Sequence, residues 1–209
     1  TDSGESAWIL VVGIGMSPEV HFGSYTQYFV GQFDGVTFTN SNTPDTVLYL
    51  DEGRDYYATQ SWADTPNGER IAISWMNNWK YGNEIPAHNR RGQMGIPRSY
   101  NLVNSDSGLR VAQQFAVNAE LNREMTEQLK PNEVLPIEIA STEHGVANID
   151  FQNHAVVELR FSGVSDQINI ARTKKGFIIQ MVRTSESSDP KFKENFSHDY
   201  SRSFEHSTS

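Results

Sequence analysis

The 209-residue sequence predicts an all-β protein. Three observations carry that expectation. Short runs rich in β-branched and aromatic residues recur along the chain. Turn signals join them in pairs. A helical period appears in a single short stretch.

The elements follow in order. Trp8-Ile9-Leu10-Val11-Val12 is a short β-branched run, expected as a buried strand ended by Gly13 and Gly15. Residues 26–33 form a second strand, and Asp34-Gly35 is a hairpin signal, with Val36-Thr37-Phe38 on the far side. Residues 40–45 read as a polar loop. The pattern repeats with a strand over 56–62, a turn over 64–68 and a return strand over 70–76. A third pair covers 92–103 and 109–115, joined by Asn104-Ser105-Asp106-Ser107-Gly108. Consecutive hairpins at this spacing suggest a meander. A propeller blade is a four-stranded meander, and a sandwich or an up-and-down barrel gives the same local pattern.

Around residue 116 the character changes. Leu121, Met125 and Leu129 form an i, i+4, i+8 stripe, which predicts a short connector helix ended by Pro131. Strands are expected again over 135–140, 147–151, 156–161, 168–172 and 176–182. Residues 184–209 read as mostly loop with one edge strand, and Asn195-Phe196-Ser197 is a glycosylation triplet. The expected division is 1–103, a connector at 104–134, and 135–209.

Composition narrows the function. The absence of cysteine excludes a disulfide scaffold, a zinc ribbon and a thiol nucleophile in this chain. A net charge of −9 argues against nucleic acid and against an anionic membrane surface as partners. The apolar run at Trp8 is far too short to span a bilayer. Thr1-Asp2-Ser3-Gly4-Glu5 is acidic where a basic leader would start, so the chain is expected to begin after processing or partway through a longer protein. His21, His88, His144, His154, His198 and His206 never fall at ligand spacing, so no metal is expected, and no cofactor.

Two segments carry candidate chemistry. In Asp51-Glu52-Gly53-Arg54-Asp55-Tyr56-Tyr57, an extended chain would point Asp51 and Asp55 the same way. Paired carboxylates suit glycoside hydrolysis. The competing reading is a loop whose Asp residues accept backbone amides. In Trp75-Met76-Asn77-Asn78-Trp79, two amides sit between two indoles. Rings covering C–H faces and amides bonding hydroxyls suit sugar recognition. Trp75 is expected in the core, and Trp79 at the site.

Together these segments, with Gln27-Tyr28-Phe29-Val30-Gly31-Gln32-Phe33-Asp34-Gly35, Arg91-Gly92-Gln93-Met94 and Ile96-Pro97-Arg98, resemble glycoside hydrolase family 32, the invertases, inulinases and levanases. The likeness covers about residues 7–125. It implies the last blades of a five-bladed β-propeller followed by a partial β-sandwich. It also implies retaining hydrolysis of β-fructosides, a fructose-containing saccharide as ligand, and a secreted location. By the resemblance Trp79 lines the fructose pocket and Tyr57 lies beside it. Asp51, Asp55, Asn77 and Asn78 shape the site, and Arg98 is structural.

The family's nucleophile, stabiliser and acid lie in Asn-Asp-Pro-Asn-Gly, Arg-Asp-Pro and Glu-Cys motifs, none of which occurs in this chain. No catalytic residue is therefore assigned, and the chain alone is expected to be inactive. Asp51 and Asp55 do not replace the missing pair. A partial ring leaves an apolar blade face, which needs a missing N-terminal propeller part or a second copy to cover it. The alternative is a non-catalytic carbohydrate-binding or structural β-protein derived from the same fold.

Overall fold

The computed structural model describes residues 4, 6–16, 23–86, 91–116, 123–125, 145–147, 156–160, 167–173, 176–185 and 187–205. The chain divides into two compact units. One comprises Thr1–Val117, Ser185–Ser197 and Ser207–Ser209, and the other Asn118–Thr184 and His198–His206.

The first unit holds two antiparallel sheets. In the first, β1 (Trp8–Ile14) pairs along its whole length with β2 (Tyr25–Phe33). The strand runs through Gly13, because a full ladder with β2 outweighs the local cost of a glycine. The other edge of β2 takes β3 (Phe38–Asn40) and β4 (Leu48–Tyr49). Asp34-Gly35 makes the turn as its sequence requires. The Asp34 carboxylate accepts the Val36 and Thr37 amides at 2.8 and 2.7 Å, and Gly35 takes the positive φ of 97°.

In the second sheet, β5 (Tyr57–Ser61) pairs with β6 (Arg70–Met76). The far edge of β6 carries both the short β7 (Gln93–Met94) and β8 (Arg98–Ser105), and β8 pairs with β9 (Gly108–Phe115). The order β5-β6-β8-β9 is a four-stranded meander of the kind a propeller blade uses. Because β8 and β9 are one hairpin, a boundary at residue 103 would cut it.

The core lies between these two sheets. Tyr28, Val30, Leu50 and Tyr56 are buried, and Ile9, Leu48, Tyr100, Leu109 and Val111 pack around them. Burial pushes the Tyr28 and Tyr100 hydroxyls up from their ordinary range. Both are hydrogen-bonded: Tyr28 accepts the Val111 amide at 3.2 Å, and Tyr100 pairs with Tyr56 at 2.5 Å. Two-residue periodicity sends Tyr28 and Val30 into this core, so Phe29 and its β1 partner Leu10 lie on the opposite face. Trp8 and Phe33 lie on that same face, with their rings edge to face at 5.3 Å. Trp8 is 55% exposed there and Phe33 37%.

The second unit contains β10 (Arg123–Met125), parallel to β11 (Gly145–Ala147). It also contains an antiparallel sheet in the order β12 (Val156–Arg160), β13 (Gln167–Arg172), β14 (Gly176–Arg183) and β15 (His198–Glu205). The strand at Arg123–Met125 corrects the helix expected over 120–130. One stripe of three apolar residues is a weak helix nucleus, and pairing with residues distant in sequence overrides it. The rest of that stretch, and the strand expected over 135–140, lie outside the described residues.

A helix occurs where a loop is expected. This is α1 (Pro190–Phe196), which belongs to the first unit. Asp189 caps it by accepting the Lys191 and Phe192 amides at 2.9 and 3.1 Å, and Pro190 opens its first turn. All-β remains the fold class, with α1 the one helix among the described residues.

Candidate functional site

The site is built from the end of β6 and the turn after it. Strand β5 delivers Tyr57 through a bulge: Tyr57 pairs with Trp75, but Gln60 pairs with Ile73, so Ala58 and Thr59 face Ser74 alone. Ala58 takes a φ of 51°, a left-handed conformation that a bulge imposes on a residue with a side chain. The Tyr57 ring lies 6.5 Å from that of Trp75, and Trp75 lies 4.8 Å from Trp79. Gly13 of β1 sits behind Tyr57, and a Cβ there would stand 3.3 Å from the ring. Sequence spacing assigns Trp75 to the core, but it is half-buried and forms the middle of this aromatic row. The reason lies in the alternation along β6: Ala72 and Ser74 take the buried face, so Trp75 falls with Ile71 and Ile73 on the half-buried one. Trp79 is 47% exposed, so a large apolar ring is available to solvent.

Beneath the row the turn is polar and fully packed. Asn78 is only 1% exposed. Its Oδ1 accepts the Ser24 and Lys80 amides at 3.2 and 2.9 Å. Its Nδ2 donates to the Ser24 and Arg54 carbonyls at 3.1 and 2.8 Å. One side chain thus ties three segments together, and the Ser24 hydroxyl adds a bond from the Trp79 amide at 3.0 Å. The Asn78 carbonyl accepts the Tyr81 and Gly82 amides at 3.2 and 2.7 Å, which closes the turn. Gly23 is required here: its φ is 104°, and a Cβ would fall 1.8 Å from the Asn78 Oδ1. Asn77 is also buried. Its Oδ1 accepts the Asn78 amide at 2.8 Å, while its Nδ2 has no hydrogen-bond partner and faces the backbone of Gly92.

The two candidate carboxylates are committed elsewhere. The 51–56 loop bends instead of extending, so the expected common direction of Asp51 and Asp55 does not arise. Asp51 pairs with Arg98 at 2.8 Å and accepts the Gly53 amide at 2.7 Å. Arg98 stacks over the Tyr56 ring at 4.3 Å and also reaches Gln113, which places this ion pair in the framework between the sheets. Asp55 accepts the hydroxyl of Tyr81, which is 1% exposed. Tyr57, Trp79, Asn77 and Asn78 are therefore brought to one end of the second sheet, and Asp51 points into its scaffold. Sequence spacing does not single out Ser24, Arg54 or Tyr81, because their roles depend on contacts between distant segments.

The chain has known relatives. Residues 1–114 match the model of the glycosyl hydrolases family 32 N-terminal domain. The chain belongs to glycosyl hydrolase family 32. Among its relatives, a levanase of Bacillus subtilis is 38% identical over 134 residues, covering 63% of this chain and 20% of that protein. An extracellular exo-inulinase of Aspergillus awamori is 39% identical over 120 residues, covering 54% of this chain and 22% of that protein. An invertase of Wickerhamomyces anomalus is 34% identical over 142 residues, covering 64% and 25%. The chain thus matches about a quarter or less of the length of these relatives.

Solved family 32 structures share the fold. The Aspergillus awamori exo-inulinase superposes with a TM-score of 0.64 at 22% identity, over 94% of this chain and 41% of that one. The fructofuranosidase of Schwanniomyces occidentalis, solved with fructose, superposes at 0.67 and 18% identity, over 97% and 44%.

Proposed function

We propose that this family 32 chain supplies an aromatic wall of a β-fructoside site in a secreted fructan- or sucrose-hydrolysing enzyme. On this reading the nucleophile, the stabiliser and the acid come from a part of the propeller that this chain does not contain. The observation that carries the proposal is the Tyr57–Trp75–Trp79 row, with Trp79 exposed above a turn held rigid by buried Asn78. An exposed indole on a rigid base can cover the C–H face of a furanose without losing much conformational entropy on binding.

Among the described residues the candidate carboxylates at this site are already committed to other partners. Asp51 is neutralised by Arg98 and Asp55 is held by Tyr81. The 209-residue chain is therefore assigned binding without turnover. The apolar face that carries Trp8, Leu10 and Phe33 is assigned to contact with the remaining blades or, failing those, with a second copy. The second unit is assigned to the family's sandwich.

Calorimetric titration of the chain with fructose and a levan oligosaccharide tests the wall, alongside an assay of fructose release from sucrose and inulin. The expected result is measurable binding, fructose release at background, and a loss of about 2- to 12-fold in affinity on Trp79→Ala, the range an aromatic contact supplies. Unchanged affinity in that variant rejects the wall, and sucrose turnover by the pure chain rejects the division of labour.

A further inference from the structure

We infer that α1 is a brace that positions the Trp79 turn, with Phe192 as its principal positioning residue. The inference rests on the reading of Trp79 as a sugar-contacting wall. It begins from an oddity of chain length. Strands β14 and β15 are paired neighbours whose ladder ends at Arg183 opposite His198. Such a hairpin needs a loop of only about two to five residues. Here the connection is the whole segment 184–197, and residues 185–197 belong to the first unit, not to the sheet they interrupt. Long connections of this kind are usually functional.

The segment is a built element. Asp189 caps α1, the Ser197 amide bonds the Lys193 carbonyl at 3.0 Å, and the Ser185 amide donates to the Ser197 hydroxyl at 3.1 Å, closing its base. Its apolar face is directed at one residue. Phe192 and Phe196 stack at 4.9 Å, and both meet Tyr81 edge to face, at 6.2 and 5.4 Å. Two polar contacts flank this cluster. Arg54 lies over the Tyr81 ring at 5.6 Å and donates to the Asn195 carbonyl at 3.4 Å. Lys191 pairs with Glu84 at 2.6 Å.

The contacts to Tyr81 and Arg54 fall on residues that also hold the wall. Tyr81 donates to Asp55 and closes the turn that carries Trp79. The Arg54 carbonyl is one of the anchors of Asn78. Tyr81 is enclosed because α1 covers it. With α1 displaced, Tyr81 would be free to leave Asp55, and the 77–82 turn would lose one of its two sides. The other side, Asn78 with Ser24, would remain.

Hydrogen exchange at the Trp79, Lys80, Tyr81 and Gly82 amides in the full chain reads the brace directly, independent of sugar. Phe192→Ala is expected to speed exchange at these four amides by about tenfold or more, with Phe192→Leu close to the parent chain. Affinity for the levan oligosaccharide is expected to fall about fivefold in Phe192→Ala, and to fall no further when this change is added to Trp79→Ala, because both act through one ring. If Phe192→Ala does not fold, Asp189→Ala, which removes only the helix cap, is expected to speed the same amides by a smaller factor. Parent-like exchange at these four amides in the folded variant overturns the brace. Faster exchange in a chain whose parent binds no fructoside overturns the sugar reading and leaves the brace standing.

Discussion

Two tryptophans of the first unit are about equally exposed, Trp79 at 47% and Trp8 at 55%, yet they stand on different ground. Trp79 sits on a turn anchored by the buried Asn78 amide, which joins Ser24, Arg54 and Lys80. Trp8 sits on a sheet face where its neighbours are Leu10, Phe29 and Phe33, with no comparable polar frame. The difference teaches how to read an exposed aromatic. A ring at the end of a short aromatic row, on a bonded polar base, is suited to a small polar ligand whose hydroxyls need water or amides nearby. A ring within a continuous apolar sheet face is suited to burial by another surface.

The largest expected effect breaks the polar base. Gly23→Ala places a methyl group where the Asn78 Oδ1 now lies and forces an L residue into a φ of 104°. The expected loss is about 3–5 kcal/mol in urea unfolding, because the bonds of a buried amide are disrupted together with the backbone. Gly35→Ala is the matched control. Its φ is 97°, but no atom lies within 4 Å of the added carbon. It should cost only about 1–2 kcal/mol, the conformational term alone. Equal losses would mean that the Asn78 junction has no special weight.

These same residues show what is legible in a sequence. Asp34-Gly35 is legible because its chemistry is local: one carboxylate, two amides and one positive φ within four consecutive residues. The run Arg70–Met76 is legible because one strand alternates by itself. The pairing of Asn78 with Ser24 is not legible, since it joins residues 54 apart whose only local signature is an amide and a glycine. The two-residue β4 is too short to have a period, and the parallel pair at Arg123–Met125 is decided by its partner. Helix α1 is a different case. Asp189-Pro190 is a standard helix start, but the surrounding serines and charges resemble a loop, and what buries Phe192 is Tyr81, far back in the chain. The proposed roles of Trp79 and Tyr57 come from a family pattern, while the half-buried place of Trp75 follows from its sharing the Ile71 and Ile73 face of β6.

An intermediate effect tests the apolar face. Trp8→Lys with Leu10→Lys puts two charges on it without touching the core between the sheets. If the face associates, its contact of a few hundred Å² contributes several kcal/mol, so the dissociation constant of a dimer should rise roughly 100-fold or more. Sedimentation velocity across a concentration series measures this. Trp79→Lys should leave the association unchanged. If the two exposures are equivalent, it will weaken association as much as the Trp8 variant, and the contrast between the two sites fails.

The smallest effect sharpens the comparison through pH. Asp34 closes the β2–β3 turn beside Phe33 and Phe38, at the margin of the apolar face. The Thr37 amide, and then the Val36 amide, hold its carboxyl below the ordinary carboxylate range. The sign follows from that depression. An unfolded aspartate titrates near about 3.9, so the turn's contribution is complete above that value and is lost as pH falls through the lower folded value. The Asn78 junction is made of uncharged amides and has no such dependence. The expected outcome is that the Val36 and Thr37 amide resonances shift, and their protection from exchange falls, below about pH 4, while the Ser24 amide, bonded to the Asn78 Oδ1, keeps its protection. In Asp34→Asn the acceptor remains but the titration goes, so the shift at Val36 and Thr37 should vanish. Acid loosening at Ser24 along with Thr37 would show that the two regions open as one cooperative piece, and that the difference beneath their tryptophans has no bearing on how each holds its ring.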